Sequence, residues 1–376
     1  MRRQRKRFVN PYQAYRGKSR AGKTLLVLAG SILAILAVLL IAAGLIFRRE
    51  LSIASTVKQI NFTRPAYFME VTGDYHFQEF LEKGGASSDG EVSAFLSKKI
   101  AKGLAGVPVE AHGTGCSALS AKTGEGEHLW GRNYDWTGSV PIILRHVPKE
   151  GYASLSTCDF QNITGSVKTL PENLANRILA IAALYVPLDG VNEAGLCVAD
   201  LQVNEGGMPD PDTEKPDLTV TTAIRLLLDK AATVEEAVAL LRQYDVHPSG
   251  GVSHHLAISD AAGATVAVEF TEDGEEGVTV IPAVAVTNFN LANGDTAAGG
   301  ESAQTRYKRL QEIYLEKKGI LTGEEIRDAL AEVSQPEGQW TTQWSMAYNQ
   351  ASPHVTWYFD GDFSRGTGFS ILPEPK

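Results

Sequence analysis

A cysteine, an arginine and an aspartate stand close together in the sequence, at a spacing that suits a reactive site. Cys116 follows Gly115, and Arg132 and Asp135 come 16 and 19 residues after the cysteine. The thiolate is the reactive form of cysteine, and a fixed positive charge lowers the pKa of a thiol from its unperturbed value of about 8.5. The pattern therefore predicts Cys116 as a nucleophile whose thiolate is stabilised by Arg132.

The bond between Gly115 and Cys116 is a candidate site of self-cleavage. Glycine tolerates the strained backbone that lets a following thiol attack the preceding carbonyl. Cleavage would create an α-amino group, with an unperturbed pKa of roughly 7.7–8.0, that can act as the general base. Asp135 would hold that amine in position. This chemistry needs no cofactor, and the sequence contains no HExxH, CxxC or carboxylate cluster that would indicate a metal.

A β-hairpin is the element that would position these residues. Strand-like runs at 116–120 and 128–135 flank the turn sequence Gly124-Glu125-Gly126. A hairpin that turns there brings the start of its first strand close to the end of its second. We therefore expect the thiol, the guanidinium and the carboxylate to lie in one place.

The rest of the chain alternates between strand-like and helix-like patterns. Further strands are predicted at 141–147, 152–158, 195–203, 254–259, 264–270, 277–281, 284–288, 343–349, 354–359 and 367–372. Helices are predicted at 219–244 in two pieces, at about 302–317 and at 323–333. Thr233 with Glu236 and Thr322 with Glu325 match the capping-box pattern. This order of elements predicts an α+β layered domain rather than a parallel βαβ sheet.

Residues 1–47 have the composition of a basic tail followed by a membrane anchor. Residues 25–47 are uncharged and rich in Leu, Ile, Val and Ala, long enough to span a bilayer as a helix. Residues 1–24 form a basic tail, which by the positive-inside rule lies in the cytoplasm. This predicts a single-pass protein of the cell membrane, in contact with membrane lipid, with residues 48–115 and the domain 116–376 outside. A cleaved signal sequence is the alternative.

A short helical segment is predicted between the anchor and Cys116. Ser88 is expected to cap a helix with the apolar stripe Val92, Phe95, Leu96, Ile100 and Leu104. The net charge of the whole chain is −9, although the basic tail contributes only positive charge. The exported part is therefore acidic and would repel phosphate, so we expect no binding to nucleic acid.

The residues around Cys116 resemble the choloylglycine hydrolase and penicillin V acylase family, whose relatives include acid ceramidase. Its cysteine, arginine and aspartate map onto Cys116, Arg132 and Asp135, within a Gly-Arg-Asn-x-Asp-Trp motif that this chain matches fully. The resemblance implies a four-layer αββα N-terminal-nucleophile hydrolase fold and hydrolysis of linear, non-peptide amides. It covers roughly residues 110–372, and residues 64–110 look like the extra N-terminal segment of the ceramidase-like branch.

Three further residues receive roles only through this resemblance. Val286-Thr287-Asn288 is similar to the segment that carries the oxyanion asparagine, which implies that role for Asn288. The supporting helix arginine falls on Arg306. A second oxyanion residue, often Asn or Tyr in the family, falls near Gln202, which departs from the usual residue types. That departure puts the role of Gln202 in doubt.

Other interpretations of the same residues stay open. His254-His255 is compatible with a papain-like cysteine–histidine site without chain cleavage, although neighbouring strand residues point to opposite faces and at most one could face a site. Arg132 and Asp135 could instead form a structural ion pair of the hairpin. A separate alternative is a catalytically inactive surface-binding protein on the same scaffold. Acyl transfer to an amine would use the same residues as hydrolysis. Cys158 and Cys197 are predicted to be buried, unreactive cysteines.

The expected substrate is a small N-acyl amide. The resemblance implies an apolar pocket for the acyl group, and the aromatic residues next to the motifs, Tyr134, Trp136 and Phe289, are candidates to line it. Aromatic residues in such strands more often belong to the core. A membrane anchor would favour amphipathic acyl amides that partition into the bilayer.

Overall fold

The computed structural model describes residues 11–61, 63–111, 115–203, 207–292 and 299–373, with side chains from residue 24 onward. Residues 1–10 of the predicted basic tail lie outside these described residues, as do the side chains of residues 11–23. The chain divides into two compact units, Met1–Ser52 and Ile53–Lys376.

The first unit is largely one long helix. Helix α1 covers Pro11–Ile46, and α2 covers Arg48–Ala54 and continues into the second unit. Within α1, Thr24–Ile46 is long and apolar enough to cross a membrane, with a mean hydropathy of 3.0. A signal sequence near an N-terminus has the same properties.

The second unit mixes helices and strands in the described ranges. Its further α-helices are α3 (Phe77–Glu82), α4 (Asp89–Lys99), α5 (Gln161–Thr164), α6 (Leu174–Leu179), α7 (Val220–Lys230), α8 (Val234–Leu241), α9 (Gly300–Glu316) and α10 (Gly323–Glu332). A 3-10 helix covers Ala180–Tyr185. The strands before α7 are β1 (Lys58–Asn61), β2 (Ala66–Thr72), β3 (Gly115–Lys122), β4 (His128–Trp136), β5 (Pro141–Val147), β6 (Ser154–Asp159), β7 (Asp189–Asn192), β8 (Cys197–Val203) and β9 (Asp217–Thr219). The later strands are β10 (Asp245–His247), β11 (Ser253–Ser259), β12 (Thr265–Glu275), β13 (Val278–Pro282), β14 (Ala285–Val286), β15 (Thr341–Asn349), β16 (His354–Phe359) and β17 (Thr367–Ser370).

Two large sheets carry most of these strands. One has nine strands in the order β1-β2-β5-β6-β7-β8-β11-β12-β13, and the other has six in the order β14-β3-β4-β15-β16-β17. All neighbouring pairs in them are antiparallel except β2 with β5. The predominance of antiparallel pairs agrees with the predicted α+β class.

Apolar side chains bury both faces of each sheet. One cluster lies between the sheets and joins residues such as Ala118 and Trp130 of the smaller sheet to Leu155 and Ala199 of the larger one. A second cluster packs α3, α4, α7 and α8 against the nine-stranded sheet. A third packs α9 and α10 against the six-stranded sheet. The strands are therefore buried on both sides, which explains why several of them are almost continuously apolar.

The structure corrects two details of the predicted helices. Helix α4 begins at the Ser88 cap as predicted but ends at Lys99, and Leu104 is 80% exposed rather than part of the buried stripe. Thr322 and Glu325 form the full capping box. In the other predicted box, Thr233 accepts the Glu236 N–H, whereas the Glu236 carboxylate accepts the N–H of Ala232 instead.

A buried carboxyl at the end of β6 makes stability depend on pH. Burial raises the pKa of Asp159 to about 7, although Asp159 Oδ1 accepts the backbone N–H groups of Val140 (2.9 Å) and Gln161 (3.0 Å). Between the unfolded pKa of about 4 and the folded value, the folded state holds a proton that the unfolded state has lost. Stability is therefore expected to fall by up to about 4 kcal/mol as the pH rises from 4 to 7.

The Asp159→Asn variant is expected to lose this dependence, because an amide oxygen can still accept both N–H groups and cannot ionise. Thermal unfolding midpoints measured between pH 4 and pH 8 test this. Asp260→Asn is the matched control, since Asp260 is also buried and its Oδ1 accepts the N–H groups of Ala262 and Ala264. A pH slope that survives in Asp159→Asn would contradict the assignment.

Candidate active site

The hairpin of β3 and β4 brings Cys116 and Arg132 together. Its register pairs Cys116 with Tyr134 and Ala118 with Arg132, so that the two side chains share the face that points between the sheets. Arg132 Nη2 donates to Cys116 Sγ at 3.2 Å, and both residues are fully buried. The predicted contact between thiol and guanidinium is present in the structure.

Two aspartates of the nine-stranded sheet hold Arg132. Its Nη1 donates to Asp189 Oδ2, and its Nη2 donates to the backbone carbonyl of Asp200 at 2.9 Å. Burial lowers the pKa of Arg132, but Cys116, Asp189 and Asp200 more than offset this, so that the net shift is upward. The guanidinium therefore stays charged beside the thiol.

Aromatic rings complete the surroundings of Arg132. Tyr134 and Trp344 stack with their ring centroids 3.7 Å apart, and the guanidinium carbon lies 5.2 Å and 5.8 Å from the two ring centroids. Trp344 Nε1 also donates to Asp189 Oδ2 at 2.8 Å. Cation–π contacts and the shared carboxylate thus fix the position of the guanidinium.

Asn288 and Arg306 bind the backbone of Cys116. Asn288 Oδ1 accepts the Cys116 N–H at 2.8 Å and a bond from Arg306 Nη2 at 2.9 Å. Arg306 Nη1 donates to the Cys116 carbonyl at 2.6 Å. Side chains therefore hold both the N–H of Cys116, which belongs to the peptide bond before the cysteine, and its C=O, which belongs to the bond after it.

Gln202 joins the site through its backbone. Its carbonyl accepts a hydrogen bond from Asn288 Nδ2 at 2.9 Å. With two donors on Oδ1 and an acceptor on Nδ2, the orientation of the Asn288 amide is determined by its partners. Gln202 thus supports Asn288 through its backbone carbonyl, which any residue at position 202 would provide.

Asp135 lies on the opposite face of β4 from Arg132, which corrects the expectation that all three groups share one place. The two residues are an odd number of positions apart, and successive strand residues alternate between faces. Asp135 is paired with Gly115, and a Cβ built on Gly115 would lie 3.3 Å from the Asp135 Cβ. The carboxyl therefore lies beside the residue that precedes the cysteine.

Hydrogen bonds and one cation fix the Asp135 carboxylate. Oδ1 accepts from Thr342 Oγ1 at 2.6 Å, and Oδ2 accepts from Gln335 Nε2 at 2.7 Å, with Arg306 Nη1 at 3.5 Å. Burial raises the pKa of Asp135, and Arg306, Thr342 and Gln335 partly offset that rise.

The two adjacent histidines point in opposite directions, as strand alternation predicts. His254 Nδ1 lies 2.8 Å from Asp200 Oδ1, and its Nε2 lies 2.8 Å from the carbonyl of Ser249. His255 Nε2 lies 2.8 Å from the carbonyl of Thr287. Both side chains therefore bind groups adjacent to the site residues, in place of the contact with the thiol that a papain-like site requires.

The other two cysteines are buried, and burial raises the pKa of Cys158 and of Cys197 well above the ordinary value. Their thiols are therefore protonated and poor nucleophiles at neutral pH. Among the described residues, no cluster of three or more His, Cys, Asp or Glu side chains could hold a metal ion.

The structure corrects two of the three aromatic candidates for an acyl pocket. Tyr134 is fully buried in its stack with Trp344, and Phe289 is 2% exposed and packs edge-on against Tyr307. Both rings are core residues in the intact chain. Trp136 is only partly buried and forms an edge-on pair with Trp340, with ring centroids 4.7 Å apart. This pair adjoins the end of β4 that carries Asp135.

A cavity of about 380 Å³ opens beside the Asp135 side of the site. It is lined by residues of α9, of α10 and of the segment that follows α10, among them Arg306, Val333 and Gln335. This volume lies near the lower end of the range that is usual for small-molecule binding sites.

Sequence comparison identifies the segment that carries this geometry. Residues 116–287 match the model of the linear amide C–N hydrolases, choloylglycine hydrolase family. This segment of the chain is similar to the choloylglycine hydrolase family. The match begins at Cys116, the residue held by Arg132, Asn288 and Arg306. The resemblance predicted from the motifs is therefore confirmed over residues 116–287.

Individual members of the choloylglycine hydrolase family show how far the similarity extends. A penicillin V acylase of Pectobacterium atrosepticum is 29% identical over 159 residues, which are 39% of this chain and 40% of that protein. The chain thus aligns with less than half of this curated relative. A conjugated bile acid hydrolase from Clostridium perfringens has a similar fold, with a TM-score of 0.50 and 17% identity over 68% of this chain and 92% of that one. The mixed α/β fold of this chain is therefore similar to that of the bile acid hydrolase.

Proposed function

We propose that this chain is an amidohydrolase for linear, non-peptide C–N amide bonds, with Cys116 as its N-terminal nucleophile after self-cleavage at Gly115–Cys116. One observation carries the proposal. The first residue of the family segment is a cysteine whose thiol, N–H and carbonyl are bound by Arg132, Asn288 and Arg306 respectively. A structural cysteine needs none of these contacts.

The maturation step follows from the groups around Gly115. Cys116 Sγ attacks the carbonyl carbon of Gly115, the C–S bond forms, and the C–N bond breaks as the thiol proton passes to the leaving nitrogen. Water then hydrolyses the thioester, which releases Gly115 as a carboxylate and restores the thiol. The new α-amine remains next to Asp135, which lies beside Gly115 in the intact chain.

Substrate turnover would repeat this chemistry. The α-amine takes the thiol proton as Sγ attacks the substrate carbonyl, and it then gives that proton to the leaving amine. We assign the side-chain amide of Asn288, which lies against the Cys116 backbone, to the oxyanion that forms on the substrate. Arg306 keeps the Asn288 amide in this orientation through its bond to Oδ1.

We extend the proposal to the architecture and location of the protein. The helix clusters on the outer faces of two stacked sheets correspond to a four-layer αββα arrangement. Residues 25–47 would anchor the chain in the cell membrane, with the N-terminus cytoplasmic and residues 116–376 outside. The segment that ends at Gly115 contributes β1 and β2 to the nine-stranded sheet, so we expect it to stay bound after cleavage.

The substrate class is tested with a panel of N-acyl amino acids whose acyl chains increase in length, together with penicillin V and a conjugated bile acid. Amine release is the measurement. If the acyl chain packs against the Trp136 and Trp340 rings, each buried CH₂ contributes up to about 0.8 kcal/mol, or about fourfold in kcat/KM. Transfer of the acyl group to an added amine would instead favour the acyltransferase alternative.

Two results would contradict this assignment. Activity on ordinary peptides without dependence on acyl length would favour a cysteine peptidase. Absence of any amide hydrolysis by a chain that has been cleaved at Gly115 would favour a non-catalytic binding protein on the same scaffold.

A further inference from the structure

The segment between α10 and β15 is closed by two hydrogen bonds between its ends. The Thr342 N–H donates to the Gln335 carbonyl at 2.8 Å, and the Gln335 N–H donates to Thr342 Oγ1 at 2.8 Å. The same two residues direct their side chains to Asp135, one to each carboxylate oxygen. We call this pair, Gln335 and Thr342, the Asp135 clasp.

The position of the clasp relates it to the bond that is cut. A Cβ built on Gly115 would lie 3.5 Å from Gln335 Nε2, so the Gln335 amide binds the carboxylate and lies beside the residue that precedes Cys116. Thr342 is buried, and it is the β15 partner of Asp135 in the sheet register. Arg306 already supplies the positive charge near Asp135, at 3.5 Å. The clasp residues are uncharged, so their contribution is to fix the orientation of the Asp135 carboxylate.

We propose that Gln335 and Thr342 are positioning residues that hold the Asp135 carboxylate against the Gly115–Cys116 bond, ready to bind the new amine of Cys116. This inference rests on the proposed self-cleavage. A carboxylate held by two donors from a closed loop cannot turn away when the bond breaks. The amine is then kept within reach of the thiol that it must deprotonate in each turnover.

The pKa of Asp135 depends on the charges around it and on the hydrogen bonds from the clasp. Arg306 of α9 and Arg132 of the same strand favour the ionised carboxylate, while burial opposes it and prevails. Glu301 and Glu332 line the cavity that Gln335 also lines. Removal of one donor from the carboxylate is expected to raise the pKa of Asp135 further. The leaving nitrogen becomes an amine beside this carboxylate, which stabilises it only when ionised, so the acid side of the cleavage profile should then move to higher pH.

The experiment uses the full chain, made by cell-free synthesis in detergent and then chased at pH values between about 4.5 and 9. Gels and intact mass follow its conversion into residues 1–115 and 116–376. In Thr342→Val, the acid limb should be displaced upward by roughly one pH unit, so that cleavage at a pH on that limb is about tenfold slower than in the wild type. Thr342→Ser retains the hydroxyl and should restore the wild-type profile.

Matched variants distinguish an effect on the orientation of Asp135 from a general loss of packing in the sheet. Ser345 Oγ donates to Asn133 Oδ1 at 2.6 Å on the same two strands, so Ser345→Ala removes a similar buried bond that does not involve Asp135. Its acid limb should stay in place. If Thr342→Val is sensitive to protease before the chase, Gln335→Met, which leaves β15 intact, provides the same test.

Equal slowing of Thr342→Val or Gln335→Met at every pH, or no recovery in Thr342→Ser, would overturn the inference. Failure of the wild-type chain to cleave at any pH would instead overturn the proposed function. The two failures are therefore distinguishable in one experiment.

Discussion

The Cys116→Ala chain is expected to remain a single polypeptide and to lose amide hydrolysis by about 10⁴-fold or more, since removal of a nucleophile abolishes covalent catalysis. The same substitution removes both the group that cuts the chain and the group that attacks the substrate. Intact mass and N-terminal sequencing test the first loss, and amine release tests the second. Wild-type protein should yield a new N-terminus at Cys116.

Two further variants make this result specific. Cys197→Ala removes a buried thiol of β8 that lies in the same apolar cluster, and its cleavage should match the wild type. Cys116→Ser should cleave slowly, because an adjacent guanidinium lowers a thiol pKa to neutrality but leaves a hydroxyl protonated. A Cys116→Ala chain that is still cut after Gly115, or wild-type protein that is active as one chain, would contradict the N-terminal-nucleophile mechanism.

Local patterns predicted the strands of the hairpin because the sequence itself supplies a turn between two strand-like runs. The contact of Cys116 with Arg132 followed from that hairpin. The placement of Asp135 did not, because the prediction used proximity along the hairpin and ignored the alternation of side chains. Counting positions from Arg132 would have placed Asp135 on the other face.

The residues that the sequence did not indicate are those that act over long separations. Asp189 binds Arg132, and Gln335 and Thr342 bind Asp135, from 57 to 207 residues away. No local pattern specifies such partners, since they depend on which strands become neighbours. The sequence did contain one signal for Asp189, because it is a lone carboxylate beside a markedly apolar run. A carboxylate that is buried requires a partner, so a cation or hydrogen-bond donor next to Asp189 could have been predicted. Asn288 and Arg306 were identified only through the resemblance to the family.

The Arg132→Met variant is expected to lose cleavage about 10³-fold and to be destabilised by about 3–5 kcal/mol, the usual effect of breaking a buried ion pair. Two causes combine. The thiol loses the fixed charge that favours its thiolate, and Asp189 is left as a buried carboxylate with only Trp344 Nε1 as a donor among the contacts described above. The measurements are cleavage rate, reactivity of Cys116 toward a thiol reagent after partial opening in mild denaturant, and unfolding free energy.

A second buried arginine provides the control for stability. Arg225 Nη2 donates to Ser154 Oγ at 2.6 Å and lies 2.7 Å from Asp229 Oδ1, with both charged side chains buried away from the thiol. Arg225→Met should therefore be destabilised by a similar amount. Its cleavage, measured where both variants are still folded, should remain within a few-fold of wild type because no site residue has lost a partner.

The double variant Arg132→Met/Asp189→Asn separates the two roles of the ion pair. An asparagine at position 189 carries no charge and can still accept from Trp344 Nε1, so most of the lost stability should return. Cleavage should not return, because the charge next to Cys116 Sγ is still missing. Recovery of cleavage together with stability would show that Arg132 serves the fold alone. It would leave the thiol without its proposed activating group.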